Sequence, residues 1–181
     1  MTGPAPDSTD LRAGAPLHDA LLALLPLVGV WDGTGIGVVE SSGVQFRFGQ
    51  HVVFAHDGRP FLAYESRAWL LDDNGGVLRQ AWRESGFWRP GANPDDVEVV
   101  LAANTGQSLL YTGTAGDDEW EIHTTRAAPT PTAKTVDAER RLYAVRNDEL
   151  LYASELAPAG QPLAPHLNAR LTRVAQTAGS G

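Results

Sequence analysis

The segment Val44-Gln45-Phe46-Arg47-Phe48-Gly49-Gln50-His51-Val52-Val53-Phe54-Ala55-His56 places apolar side chains at 44, 46, 48, 52 and 54, with Gln45 and Arg47 between them. A period of two belongs to a strand with one wet and one dry face. Asp57-Gly58-Arg59 follows at once, a turn by chemistry, and the next run, Pro60–Leu71, is again rich in aromatic and branched residues. The pattern repeats in both directions. Val30–Glu40, Val77–Arg89, Val97–Thr105, Ser108–Thr114, Glu119–Ala127, Lys134–Val145, Glu149–Ala157 and His166–Val174 all read as strands. Ser41-Ser42-Gly43, Asp73-Asn74-Gly75-Gly76, Thr105-Gly106-Gln107, Gly116-Asp117 and Asn147-Asp148 separate several of them as short hairpin turns. No separator is long enough for a crossover helix, which excludes a parallel α/β sheet. About ten antiparallel strands in sequence order must hide their edges, and closure into an up-and-down barrel does so. The predicted fold is all-β, a roughly ten-stranded antiparallel barrel whose interior leaves room for one ligand.

Outside the strands the chain changes character. Residues 1–16 are Pro, Gly, Ala, Ser and Asp without periodicity and are expected to form a disordered leader. Leu17–Pro26, with leucines at 17, 21, 22, 24 and 25, predicts a short N-terminal helix stopped by Pro26 and Gly29 and plugging one end of the barrel. The barrel domain is thus expected over 17–175 and a frayed tail over 176–181. With 181 residues, one domain accommodates the chain and a second catalytic domain is excluded.

Composition narrows the function. Fourteen basic against 22 acidic residues give a net charge of −8, which repels nucleic acid and anionic membrane surfaces. The absence of cysteine removes disulfides, zinc ribbons, iron–sulfur clusters and thiol nucleophiles. The apolar run Ala20–Val30 is too short to span a bilayer and lacks the basic leader of a signal peptide, so a cytoplasmic protein is expected. Gly33-Thr34-Gly35-Ile36-Gly37 lacks the third glycine of a dinucleotide loop, because position 38 is Val. These glycines are expected to admit close approach of another backbone or a ligand. The pairs Asp95-Asp96 and Asp117-Asp118 fall in turns and read as solvated residues.

Of the five histidines, His18 is expected to be exposed, and His51, His56 and His123 read as surface or rim positions. His166 differs, since Gln161-Pro162-Leu163-Ala164-Pro165 stiffens the backbone just before the last strand. One histidine is not a metal site, but it can be the sole protein ligand of an iron already chelated by a porphyrin.

Four motifs in order resemble the nitrobindins, small heme-binding β-barrels. They are Gly29-Val30-Trp31-Asp32-Gly33-Thr34-Gly35, Gly58-Arg59-Pro60-Phe61-Leu62-Ala63-Tyr64, Glu84-Ser85-Gly86-Phe87-Trp88-Arg89 and Gly160-Gln161-Pro162-Leu163-Ala164-Pro165-His166-Leu167. The resemblance implies ferric heme b near the barrel mouth, with His166 as axial ligand and Lys134, the only lysine, meeting a heme propionate. It also implies isomerisation of peroxynitrite to nitrate, nitric oxide binding and a homodimer. The chain departs from the family pattern at Val38-Val39-Glu40-Ser41-Ser42, where relatives usually carry Tyr-Pro-Thr, and at Trp82, where they often carry His; a bulkier distal wall is expected. By alternation His166 shares parity with Asn168, Arg170 and Thr172, the polar face. A non-enzymatic carrier or sensor of a small apolar ligand, with Trp82 filling the heme space, is the alternative reading.

Overall fold

In the computed structural model, which describes residues 3, 5–39 and 41–175, ten strands close a single antiparallel barrel. The tail expected over 176–181, and Glu40, lie outside the described residues. The strands are β1 (Gly29–Val38), β2 (Gln45–Ala55), β3 (Leu62–Leu71), β4 (Val77–Pro90), β5 (Asp96–Ala103), β6 (Gln107–Ala115), β7 (Glu119–Pro129), β8 (Val136–Arg146), β9 (Glu149–Pro158) and β10 (Ala164–Arg173). Each strand pairs with its sequence neighbours, and β1 pairs with β10 to close the wall. The predicted architecture is therefore the observed one.

Alternation selects the interior. On β2, Phe48, Gln50, Val52 and Phe54 are buried, and on β7 Trp120 and Ile122 are buried. Trp31, Trp88 and Trp120 are fully enclosed. Trp88 lies edge-on to Phe54 (5.5 Å) and to Tyr143 (5.1 Å), the geometry that aromatic quadrupoles favour.

The N-terminal helix is a 3-10 helix over Asp19–Leu27, with Leu21, Leu24 and Leu27 buried. Pro26 does not stop it. Proline in a last turn removes one N–H, and the helix runs one residue further before Val28 closes it on the Leu25 carbonyl. His18 is exposed, as expected, and its Nδ1 accepts from the Ala20 N–H as the N-cap. Upstream, the segment read as a leader carries an ordered contact, with Ser8 and His56 exchanging backbone hydrogen bonds of 2.7 and 2.9 Å.

The structure corrects the reading of His56, which is 1% exposed rather than at the surface. Its position continues the inward parity of Val52 and Phe54, and the Ser8 bridge covers it. His51 is on the outer face, where Nδ1 lies 2.6 Å from an Asp32 carboxylate oxygen, and His123 is exposed.

Candidate functional site

The 3-10 helix plugs the end where β1 begins, and two interior tryptophans hold it there. Trp31 Nε1 donates to the Leu27 carbonyl and Trp120 Nε1 to the Ala23 carbonyl, both at 2.9 Å. Arg173 stacks over the Trp31 ring at 4.1 Å and donates to the carbonyls of Pro26 and Val28, covering the helix C-terminus. The opposite end, where β1 finishes and β10 starts, is the candidate mouth.

His166 is at that mouth. Across β9 and β10, Pro165 pairs with Glu155 and Leu167 with Ser154, which leaves His166 as the extra residue of a bulge. A bulge interrupts the regular alternation, so counting parity along β10 does not decide which face His166 takes. Its ring is half-buried, and Nδ1 lies 3.3 Å from the Val38 carbonyl oxygen on β1. Nδ1 acting as donor in that contact would fix the tautomer of the ring.

The inner face of β1 explains the glycine motif. Gly33, Gly35 and Gly37 share the parity of buried Trp31. A Cβ at Gly33 would overlap the Arg170 carbonyl, at Gly35 the Phe48 ring, and at Gly37 the Phe46 ring and Leu167. The glycines form a furrow in which the Phe46 and Phe48 rings lie against β1, as expected for close approach. Phe46 and Phe48 are 6.2 Å apart, and Trp82 of β4 meets Phe48 edge-on at 4.9 Å. Phe46, Trp82 and Leu167 are only partly buried, so the mouth has an apolar lining open to solvent on one side. A recess of about 810 Å³ beside Trp82 is bounded by residues of both faces of the wall, Gln50 and Ala68 of the inner one and Asp32, His51, Arg67 and Arg83 of the outer one; His166 is not part of its lining.

Lys134 lies in the β7–β8 connection at the same end, exposed, with its carbonyl accepting from Gln107 Nε2 at 2.6 Å. The wall beside it is incomplete. The β7–β8 ladder runs only from Glu119↔Ala144 to His123↔Arg140. There Thr124 Oγ1 takes the Glu139 N–H and donates to the Glu139 carbonyl, both at 3.0 Å, and ends the ladder. The structure brings Lys134 and His166 to one end of the barrel without placing them in contact.

Below the mouth is a polar layer that the sequence reading missed. Arg141 makes two bonds to Glu84 (2.6 and 3.0 Å) and two to Glu139 (2.8 and 3.2 Å). Tyr64 donates to Glu84 at 2.8 Å and Tyr111 to Glu139 at 2.6 Å. Burial opposes the charge on Glu84, but the Arg141 guanidinium and the bonds from Arg141 and Tyr64 outweigh it and hold the carboxyl below its ordinary range. Burial likewise drives the Tyr64 and Tyr111 hydroxyls well above theirs, so both remain donors. Alternation held the signal, since Glu139 and Arg141 share parity with Tyr143, and Glu84 with Trp82 and Trp88.

Residues 20–173 match the family described as THAP4-like, heme-binding β-barrel domain. The chain belongs to this family. It is the nitrobindin family that the four motifs resemble, and the match spans all ten strands. A peroxynitrite isomerase of Salinispora arenicola is 46% identical over 175 residues, covering 94% of this chain and 89% of that protein. One of Streptomyces griseus is 44% identical over 174 residues, covering 95% and 93%. The crystal structure of Rv2717c from M. tuberculosis superposes with a TM-score of 0.77 at 36% identity, covering 88% of this chain and 99% of that one.

Proposed function

We propose that this nitrobindin-family barrel binds ferric heme b at its mouth through His166 and isomerises peroxynitrite to nitrate. The observation that supports the reading is that His166, the extra residue of a bulge at the mouth, has its Nδ1 3.3 Å from the Val38 carbonyl oxygen. The residues fit the group. Among the described residues no cluster of three or more His, Asp or Glu side chains could hold a bare ion, so a lone imidazole suits an iron whose other ligands arrive with it. The Phe46 and Phe48 rings laid against the glycines of β1, with the half-exposed Leu167 and Trp82 beside them, would give a flat apolar group an apolar seat with one edge in water. The relatives named peroxynitrite isomerase support the activity.

Bound heme supplies a Lewis-acid iron toward the peroxo oxygen of peroxynitrite. The chain's own contribution is position and enclosure. His166 would hold the iron, its ring oriented by the contact with the Val38 carbonyl. Phe46, Phe48 and Trp82 would exclude water on the apolar side and keep the reactants in one enclosure. Trp82, in place of the usual family histidine, leaves that wall without a titrating group of its own. Lys134, exposed at the β7–β8 gap, would meet a solvent-exposed propionate. Nitric oxide is a second ligand of the same iron, and the protein acts in the cytoplasm as a homodimer. No described helix is long and apolar enough to cross a membrane.

Trp82 packed on Phe48 is what favours the alternative, a carrier of a smaller apolar ligand. Stopped-flow decay of peroxynitrite, with nitrate yield measured against nitration of an added phenol, tests the activity. Heme-loaded protein is expected to accelerate decay and raise nitrate at the expense of nitrophenol. Equal decay with and without the loaded protein would remove the isomerase reading and leave the carrier.

A further inference from the structure

The Glu84–Arg141–Glu139 layer has two carboxylates for one guanidinium, and all three residues are at most 8% exposed. The other hydrogen-bond donors to those carboxylates are the neutral hydroxyls of Tyr64 and Tyr111, while Tyr143 lies 3.5 Å from Arg141 Nη1. One carboxylate would suffice to pair Arg141. The second leaves a surplus negative charge inside the barrel, where neither water nor salt screens it well and where its desolvation is costly. Such a surplus is tolerated most readily when something cationic enters the same low-dielectric space.

The register places this charge near the mouth site. Arg141 pairs with Ser154, and Ser154 pairs with Leu167, the residue after His166. Two strand spacings, about 10 Å, therefore separate Arg141 from the position that follows the proposed ligand. Glu84 is two residues along the same inward face from Trp82, about 7 Å.

We propose that the Glu84–Arg141–Glu139 cluster is a positioning charge that makes the barrel discriminate between metalloporphyrins by core charge, favouring the ferric core, which carries one positive charge, over a neutral divalent core. This rests on the reading of His166 as a porphyrin ligand. The probes are hemin and zinc protoporphyrin, which share the macrocycle and both propionates and differ in the charge at the metal. Affinities are measured by Soret titration for hemin and by fluorescence for the zinc compound, on the full chain and on Glu84→Gln and Glu139→Gln. Each variant keeps a carbonyl oxygen for Arg141 and removes the surplus charge. Hemin affinity is expected to fall about tenfold in each, as one charge at this distance in a partly shielded interior implies. Zinc protoporphyrin affinity should stay within about twofold, the change expected of a neutral core. The midpoint potential of the heme-loaded variants should rise, because the ferric form loses the nearby negative charge. Glu121→Gln, which removes an exposed carboxylate paired with Arg140, should leave the hemin-to-zinc ratio unchanged. Equal losses for both porphyrins, or an unchanged ratio, would overturn the charge assignment and leave a structural ion pair. Failure of both Gln variants to fold would overturn it in the same way. A wild-type chain that binds neither porphyrin would instead overturn the porphyrin reading beneath it, a distinct result.

Discussion

The two ends of the barrel are built from the same alternating strands but close in opposite ways. At one end Trp31 and Trp120 each lend an indole N–H to a carbonyl of the 3-10 helix, and three leucines of that helix complete a dry core. At the other, β1 presents glycines where Trp31 stands further down, and the aromatic rings of Phe46, Phe48 and Trp82 remain partly uncovered or packed on one another. The difference lies in side-chain volume along one strand. Gly-x-Trp-x-Gly-x-Gly-x-Gly fills the lower barrel and thins the upper wall, so the densest packing is at the plug and the site proposed for heme is at the mouth. The polar layer of Arg141 and its two glutamates divides them.

The contrast predicts where substitutions are felt. Arg141→Met should be among the costliest changes, about 3–5 kcal/mol, because it leaves two buried carboxylates facing each other without a cation. Urea unfolding of the apoprotein checks this, and a loss under 1 kcal/mol would mean that the layer is hydrated. Trp31→Ala at the plugged end should cost a similar 3–5 kcal/mol through lost burial and the unmade bond to Leu27. Gly35→Val at the mouth should cost at least about 1–3 kcal/mol by driving into both the Asn168 carbonyl of β10 and the Phe48 ring, and should also weaken hemin binding. The two losses together separate it from the plug variant, whose hemin affinity per folded molecule should be unchanged.

Acid should act through the layer between the ends. The folded-state pKa of Glu84 is below its unfolded value, so its contribution is complete at neutral pH and is lost as pH falls through the folded value. Thermal melts should therefore show stability falling on the acid side, and Glu84→Gln should flatten that dependence. The smallest effect belongs to the rim. Lys134→Ala should reduce hemin affinity by no more than about 1 kcal/mol, since an exposed ion pair contributes little.

Hairpin turns and period-two patterning made the barrel legible, and the ten strand readings agree with the observed elements to within about two residues because every turn signal fell between strands that pair in sequence order. Parity failed where the backbone departs from a regular ladder. At His166 alternation alone points to the polar face, and the bulge there, which cannot be counted from sequence, removes parity as a guide. His56 was read as surface because its cover, Ser8, comes from a segment whose composition carries no strand signal. Glu84, Glu139 and Arg141 were passed over because charged residues are ordinarily outside, whereas here each supplies the other's partner and interior parity decides.

The central claim is that His166 is the protein's ligand to a porphyrin iron. Hemin titration of the purified chain, followed at the Soret band beside His166→Ala under identical conditions with circular dichroism confirming that both barrels are folded, tests it directly. The wild type should give a saturable Soret shift at one hemin per chain, and the variant should give none at the same concentrations. A folded His166→Ala that binds hemin with the wild-type spectrum and affinity would contradict the assignment.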